Sequence, residues 1–127
     1  MRYLLDTHVL IWHFEGSPRL PSKIKEIIVN NKDHIFLCSV SLWEVAIKIG
    51  IGKLKLRLPL EKILDLVKKG DYNVLPIKDE YLKRLVVLPS IHKDPFDRLI
   101  ISTALVENLT IITADDHVRK YDVPSMW

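Results

Sequence analysis

Four short runs, Tyr3-Leu4-Leu5, Ile35-Phe36-Leu37-Cys38, Asn73-Val74-Leu75 and Leu109 to Ile112, alternate with segments of helical period, and this alternation constrains the fold more than anything else in the chain. The runs are apolar at successive positions rather than at every second one. Strands of that kind are covered on both faces, as in a parallel sheet. Between them the spacing predicts helices over Thr7 to Phe14, Leu20 to Asn31 (with Pro21 in the first turn), Leu42 to Ile49, Leu60 to Lys69, Asp79 to Val87, Pro95 to Glu107 and Asp115 to Tyr121. Gly50-Ile51-Gly52 and Gly70 stand where helices stop, and Pro95 follows Asp94 as a first helical residue follows its cap. Val123 to Met126 can add an edge strand. The expected fold is therefore α/β: a three-layer α/β/α sandwich with a central parallel sheet of four to five strands.

At 127 residues the chain holds one core, so residues 1–127 are read as a single domain without repeats or linkers. A hydrophobic content of 48% with 28% charged residues excludes a disordered chain. The single cysteine, Cys38, excludes a disulfide framework and a multi-cysteine zinc site, and its apolar neighbours mark it as a small buried residue. No apolar stretch is long enough to span a membrane, and Asp6 interrupts the N-terminus too early for a signal sequence. A cytoplasmic, soluble protein is expected. The net charge of +3 is mild, but Lys48, Lys53, Lys55 and Arg57 fall in a stretch with no acid between Glu44 and Glu61. That stretch is either a solvated edge or a phosphate-facing patch.

In open parallel sheets ligands bind beyond the carboxyl ends of the strands. Asp6 directly follows the first strand, and Asp115 lies three residues past Ile112. Glu44 is expected in the first helical turn after the second strand and Asp97 in the first turn of the Pro95 helix. Asp6, Glu44 and Asp115 therefore share one rim, joined by Asp97 if the loop before it returns there. Taken singly, each acid also reads as a cap: Ser41-Leu42-Trp43-Glu44 has the form of a capping box, Asp94 to Asp97 and Thr113 to Asp116 resemble one, and Asp6 can be a plain N-cap. Caps need no convergence, however, and four carboxylates on one rim repel one another unless a cation joins them. An all-oxygen set selects Mg²⁺ or Mn²⁺ over Zn²⁺ and suits phosphodiester hydrolysis.

These segments together resemble the PIN-domain ribonucleases, specifically the VapC-type toxins of toxin–antitoxin pairs. The likeness is carried by Leu4-Leu5-Asp6-Thr7-His8, Ser39 to Glu44, the string His92-Lys93-Asp94-Pro95-Phe96-Asp97-Arg98 with Leu99 to Ala104 behind it, Ile112-Thr113-Ala114-Asp115, and the closing Tyr121, Val123, Met126 and Trp127. The resemblance implies a PIN-like fold and a Mg²⁺- or Mn²⁺-dependent endoribonuclease with Asp6, Glu44, Asp97 and Asp115 as metal-holding and catalytic acids. It assigns the third acid to Asp97, leaving Asp94 as the helix cap, and prefers Asp115 to Asp116 because Asp115 follows Thr113 at the family's spacing. It further implies an RNA substrate cut to 5′-phosphate and 3′-hydroxyl ends, a homodimer, and a cognate antitoxin protein. Two other readings are compatible with the residues. One is a Mg²⁺-dependent phosphatase or phosphoacceptor domain, since Asp6 ends a first strand there too, although no Asp-x-Asp follows. The other is a non-catalytic RNA- or protein-binding module.

Among the remaining polar residues, Thr113 is expected to hold a carboxylate or water by its hydroxyl or to serve as a turn residue, with Ser39 acting similarly near Glu44. Arg98 is expected to pair with Asp94 rather than contact phosphate. The five histidines show no ligand spacing and read as surface or packing residues, and Trp12, Trp43 and Trp127 as core or interface aromatics.

Overall fold

The computed structural model describes residues 1–70 and 72–127. Five parallel strands, β1 (Tyr3–Leu5), β2 (Ile35–Cys38), β3 (Asn73–Leu75), β4 (Thr110–Ile112) and β5 (Ser125–Met126), form one sheet in the order β3-β2-β1-β4-β5. Helices α1 (Thr7–Glu15), α2 (Ser22–Asn30), α3 (Ser39–Gly50), α4 (Leu60–Lys69), α5 (Asp79–Val86), α6 (Pro95–Glu107) and α7 (Asp116–Arg119) supply the crossovers. Chain order runs outward from β1 to β3, then returns to the other side of β1 with β4. The β1/β4 boundary is thus the point where the winding reverses, the place at which such sheets open a crevice.

Consecutive strand residues point to opposite faces, and the core divides accordingly. Leu4, Cys38 and Ile111 join a cluster with Val40, Tyr81 and α6 residues Leu99, Ile100, Ile101 and Ala104. Leu5, Leu37 and Ile112 join the opposite cluster with Val9, Leu10, Ile24, Ile28 and Val67 from α1, α2 and α4. The sheet is therefore covered on both sides, giving the expected three-layer α/β/α sandwich with five strands.

Two boundaries differ from the sequence expectation with consequences for the site. Helix α3 begins at Ser39 rather than Leu42, with Cys38 in the N-cap position and no side-chain cap. Tertiary burial of Val40 and Ser41 overrides the capping signal. Ser41 accordingly is no cap: its Oγ accepts a hydrogen bond from Thr7 Oγ1 at 3.0 Å, tying α3 to the start of α1. Glu44 thus lies in the second turn, not the first, and the capping-box reading of Ser41 to Glu44 falls. Helix α7 spans only Asp116–Arg119, with Asp115 as its cap. Pro21 likewise sits in the N-cap position of α2, one residue outside the helix.

Candidate active site

Asp6 leaves β1 at the crevice. Its N–H donates to Ile112 O at 3.1 Å, continuing the ladder into β4, and its side chain caps α1 by accepting from Thr7 N at 2.8 Å on Oδ1. The other oxygen, Oδ2, accepts from Thr113 Oγ1 at 2.7 Å. Thr113 Oγ1 in turn accepts from Asp115 N at 3.0 Å, so one fully buried hydroxyl fixes both strand-end acids, the first of the two roles expected of it. Asp6 is nearly fully buried, and burial raises its carboxyl pKa despite the opposing contacts with His8, Thr113 and Thr7, with Asp115 adding to the rise.

A cleft of about 160 Å³ opens at this point, lined by Asp6, Thr7, His8, Ile11, Glu44, Lys48, Asp94, Asp97 and Asp115. All four acids singled out from the sequence line it, and the loop before α6 does return to the rim. Asp94 is there as well, but its Oδ1 accepts from Phe96 N at 2.9 Å and Asp97 N at 3.2 Å, which makes it the α6 cap. Asp116 is turned away, its side chain 90% exposed and 3.9 Å from Arg119. Asp115 thus lines the cleft and Asp116 does not. Asp115 also caps α7 through His117 N at 2.8 Å, so capping and membership of the acidic rim are not alternatives here.

Asp97 is pushed in the same direction as Asp6. Burial, and then the charges of Asp6, Asp94, Asp115 and Glu44, push its pKa up to about 8. Glu44 is 3% exposed; its Oε2 accepts from Lys48 Nζ at 2.5 Å, whereas its Oε1 is buried with no partner. An orphaned buried carboxylate oxygen costs free energy unless something else completes it. As they stand, no three His, Cys, Asp or Glu side chains among the described residues are grouped closely enough to hold one ion. The acids share a cleft, but each is engaged with its own protein partners.

Two histidines that sequence spacing assigned to surface or packing roles touch these acids. His8 Nε2 accepts from Ala114 N at 3.0 Å, which leaves the proton on Nδ1, 3.5 Å from Asp6 Oδ2. His92 stands at the Asp97 side, with Nε2 3.3 Å from Asp97 Oδ2 and Nδ1 2.8 Å from Tyr121 Oη. That phenol already accepts from His92 N at 3.2 Å and Arg98 Nη1 at 3.0 Å, filling both lone pairs. Its own proton must then go to His92 Nδ1, and His92 Nε2–H donates to Asp97. The signal was available in the His-x-Asp-Pro-Phe-Asp string, but pairing His92 with Tyr121 requires the fold.

Other expectations are corrected. Arg98 does not pair with Asp94: it donates to Pro89 O at 2.8 Å and Leu88 O at 3.3 Å as well as to Tyr121, pinning the α5–α6 loop. Ser39 makes no hydrogen bond with Glu44 among the described residues; the buried hydroxyl beside this helix is Ser41. Of the two roles expected of Trp43, core or interface, the first is excluded: it is 59% exposed, edge-on to Phe96 at 5.4 Å. Trp12 and Trp127 pack together at 5.8 Å beside His8. Of the basic stretch, Lys48 is in the cleft and Arg57 is bound to Glu15, its N–H 2.7 Å from Oε1, while Lys53 and Lys55 are exposed. Cys38 is buried as expected, and burial pushes its thiol up to about 12.

No helix among the described residues is long and apolar enough to cross a membrane. The chain is 26% identical over 122 residues to Ribonuclease VapC22 of Mycobacterium tuberculosis (strain ATCC 25618 / H37Rv), an alignment covering 95% of this chain and 92% of that protein. Its fold is similar to a chain of VapBC2 from Rickettsia felis bound to a DNA fragment from their promoter (TM-score 0.75, 20% identity, 99% of this chain and 98% of that one). It is also similar to a chain of FitAcB from Neisseria gonorrhoeae (TM-score 0.70, 17% identity, 98% and 96%). The family model described as PIN domain matches residues 3–124. The chain belongs to the PIN domain family.

Proposed function

We propose that this protein is a Mg²⁺- or Mn²⁺-dependent endoribonuclease and the toxin of a toxin–antitoxin pair. The observation that carries this reading is the convergence of Asp6, Glu44, Asp97 and Asp115 on one cleft at the winding reversal, with Glu44 Oε1 buried and unpartnered there. The donor chemistry fits a hard cation. His8 Nε2 and both nitrogens of His92 are committed to protein hydrogen bonds, and the Cys38 thiol belongs to the core, so oxygen is what the cleft can offer. Asp6, Glu44, Asp97 and Asp115 would hold the ion. A divalent cation in that cleft supplies charge neutralisation and Lewis acidity for phosphodiester hydrolysis.

The protein's own groups do the rest. Thr113 and Thr7 keep Asp6 in one orientation, and His92 does the same for Asp97. Glu44, nearly fully buried beside the cleft, would orient the attacking water and accept its proton as the water oxygen adds to phosphorus. Cleavage of the bond between phosphorus and the 3′ oxygen, which departs with a proton, leaves 5′-phosphate and 3′-hydroxyl ends. An antitoxin partner is supported by the VapBC and FitAcB assemblies among the structures that share this fold. A homodimer and a cytoplasmic setting complete the reading.

The test is cleavage of a mixed RNA by the purified full chain with Mg²⁺, with Mn²⁺ and with excess EDTA. Cleavage that requires the cation and leaves 5′-phosphates supports the proposal; equal cleavage in EDTA overturns the mechanism. RNA binding without turnover under every condition would instead indicate a binding module, and stable acyl-phosphate on Asp6 a phosphoacceptor.

A further inference from the structure

Among the described residues, Lys48 is the only lysine or arginine lining a cleft that otherwise presents Asp6, Glu44, Asp94, Asp97 and Asp115. It reaches the cleft because α3 places it four residues after Glu44, on the same helix face. The pair is asymmetric: the lysine side chain is 42% exposed, the glutamate side chain 5%. In an ordinary surface pair both partners can return to water. Here only the ammonium can, by rotation of its flexible stem, while the carboxylate stays where the helix puts it.

An ammonium 2.5 Å from one Glu44 oxygen and a divalent cation on the other would be two positive centres a few ångströms apart on one carboxylate. Their repulsion is weakly screened beside a buried acid, and of the two the ammonium has an exit to solvent. We propose that Lys48 is a displaceable counter-ion: it neutralises Glu44 until a divalent cation enters the cleft, is then driven off, and binds the phosphate of the incoming RNA at the mouth. This rests on the ribonuclease reading for the identity of the polyanion. It assigns to one residue two duties that an acidic site needs at different moments, offsetting the charge of Glu44 before a cation enters and drawing a polyanion toward carboxylates that would otherwise repel it.

The experiment uses the full chain with Lys48→Gln, whose amide can still donate to Glu44, and Lys48→Arg, which keeps the charge. Circular dichroism confirms that each is folded. Mn²⁺ affinity is read from the electron paramagnetic resonance of the free ion, in the absence of RNA. K48Q is expected to bind Mn²⁺ about fivefold more tightly or better, because the competing charge is gone, and K48R within about twofold of wild type. At saturating Mn²⁺, K48Q is expected to raise KM for RNA and to lower the log–log salt slope of binding by about one, with K48R restoring both. Equal or weaker Mn²⁺ binding by K48Q overturns the proposal, as does an unchanged KM and salt slope. If wild type cleaves RNA in a Mn²⁺-dependent way and K48Q matches it throughout, the counter-ion role alone fails. If wild type binds no Mn²⁺, the ribonuclease reading fails and carries this one with it.

Discussion

On the strand side of the cleft Asp6 has both oxygens bound by its own chain, through Thr7 N and the Thr113 hydroxyl, whereas on the helix side Glu44 gives one oxygen to a half-exposed lysine and has no partner for the other. Both acids are nearly fully buried, so burial does not distinguish them. The difference follows from what carries them. A residue at the end of β1 sits among backbone N–H groups and the top of the neighbouring strand, and there hydrogen bonds to a carboxylate are cheap to build. A residue in the second turn of α3 has its own backbone committed to the helix, and only side chains can reach it. Asp97, also on a helix, depends on His92 in the same way. The strand side is thus a fixed platform and the helix side an adjustable one.

Breaking the platform should cost most. Asp6→Asn removes a charge and, because Thr7 N and Thr113 both donate to the present carboxylate, leaves one of the two donors facing an amide N–H. Cation-dependent RNA cleavage is expected to fall by more than the roughly 10–100-fold typical of a residue that only supports a ligand, and growth arrest on expression should disappear in parallel. Cleavage within about tenfold of wild type would remove Asp6 from the mechanism. Thr113→Val comes next. It keeps the volume but strips the hydroxyl that serves Asp6 and Asp115 together, so a roughly 10–100-fold loss in cation affinity is expected by calorimetry. Unchanged affinity would make Thr113 a turn residue and nothing more.

Glu44→Gln sharpens the contrast between the two sides. A cap would tolerate the amide, but α3 starts five residues before Glu44 and Ser41 is bonded to Thr7, so no cap remains to be preserved. Cleavage at saturating Mn²⁺ should fall by at least about tenfold while the fold survives, and full activity would detach Glu44 from the chemistry.

The layers and the strand-end acids were legible because they follow from local rules: apolar runs bounded by polar helix starts, and topology that sends every strand end to one rim. Asp6 and Asp115 needed only that. The start of α3 was misread because Ser41 and Glu44 match a capping pattern that long-range packing against Thr7 overrides. The pairing of His92 with Tyr121 joins residues more than one element apart, and the turning of Arg98 from Asp94 to the Leu88 and Pro89 carbonyls depends on the path of the loop before α6, so no spacing encodes either. Trp43 was read as core or interface, and its outward-facing helix position excludes only the first.

A smaller effect separates function from stability at the adjustable side. Asp97 has a folded pKa near 8 against an ordinary value of 3.8, so the native state keeps a proton that the unfolded chain gives up between those values. Stability of the cation-free protein therefore declines, through this group, as pH rises from about 4 to about 8, and is flat above. Asp97→Asn lacks the term. Its Tm should exceed that of wild type by about 4 °C or more at pH 8, roughly 1 kcal/mol, with the gap closing toward pH 5 although cleavage is lost. A gap independent of pH would mean that the repulsion among the acids is already relieved by other means.

The least disruptive change tests whether His92 is held in one tautomer. Tyr121→Phe removes a hydroxyl that donates to His92 Nδ1 and accepts from Arg98 and from the His92 backbone, while the ring keeps its edge-on contact with the imidazole at 5.3 Å. Without that donor, the proton can sit on Nδ1 or Nε2, and only the second form supports Asp97. A loss of one hydrogen bond's net worth, about 1 kcal/mol, corresponds to roughly a fivefold fall in cleavage. Packing damage alone would lower Tm with the same result, so the deciding readout is the nitrogen-15 spectrum of the His92 ring. Wild type should show Nε2 protonated and Nδ1 bare, and the variant a mixture. If the variant's ring is as cleanly Nε2-protonated as wild type while cleavage still falls, the phenol acts through the loop that Arg98 pins and not through the histidine.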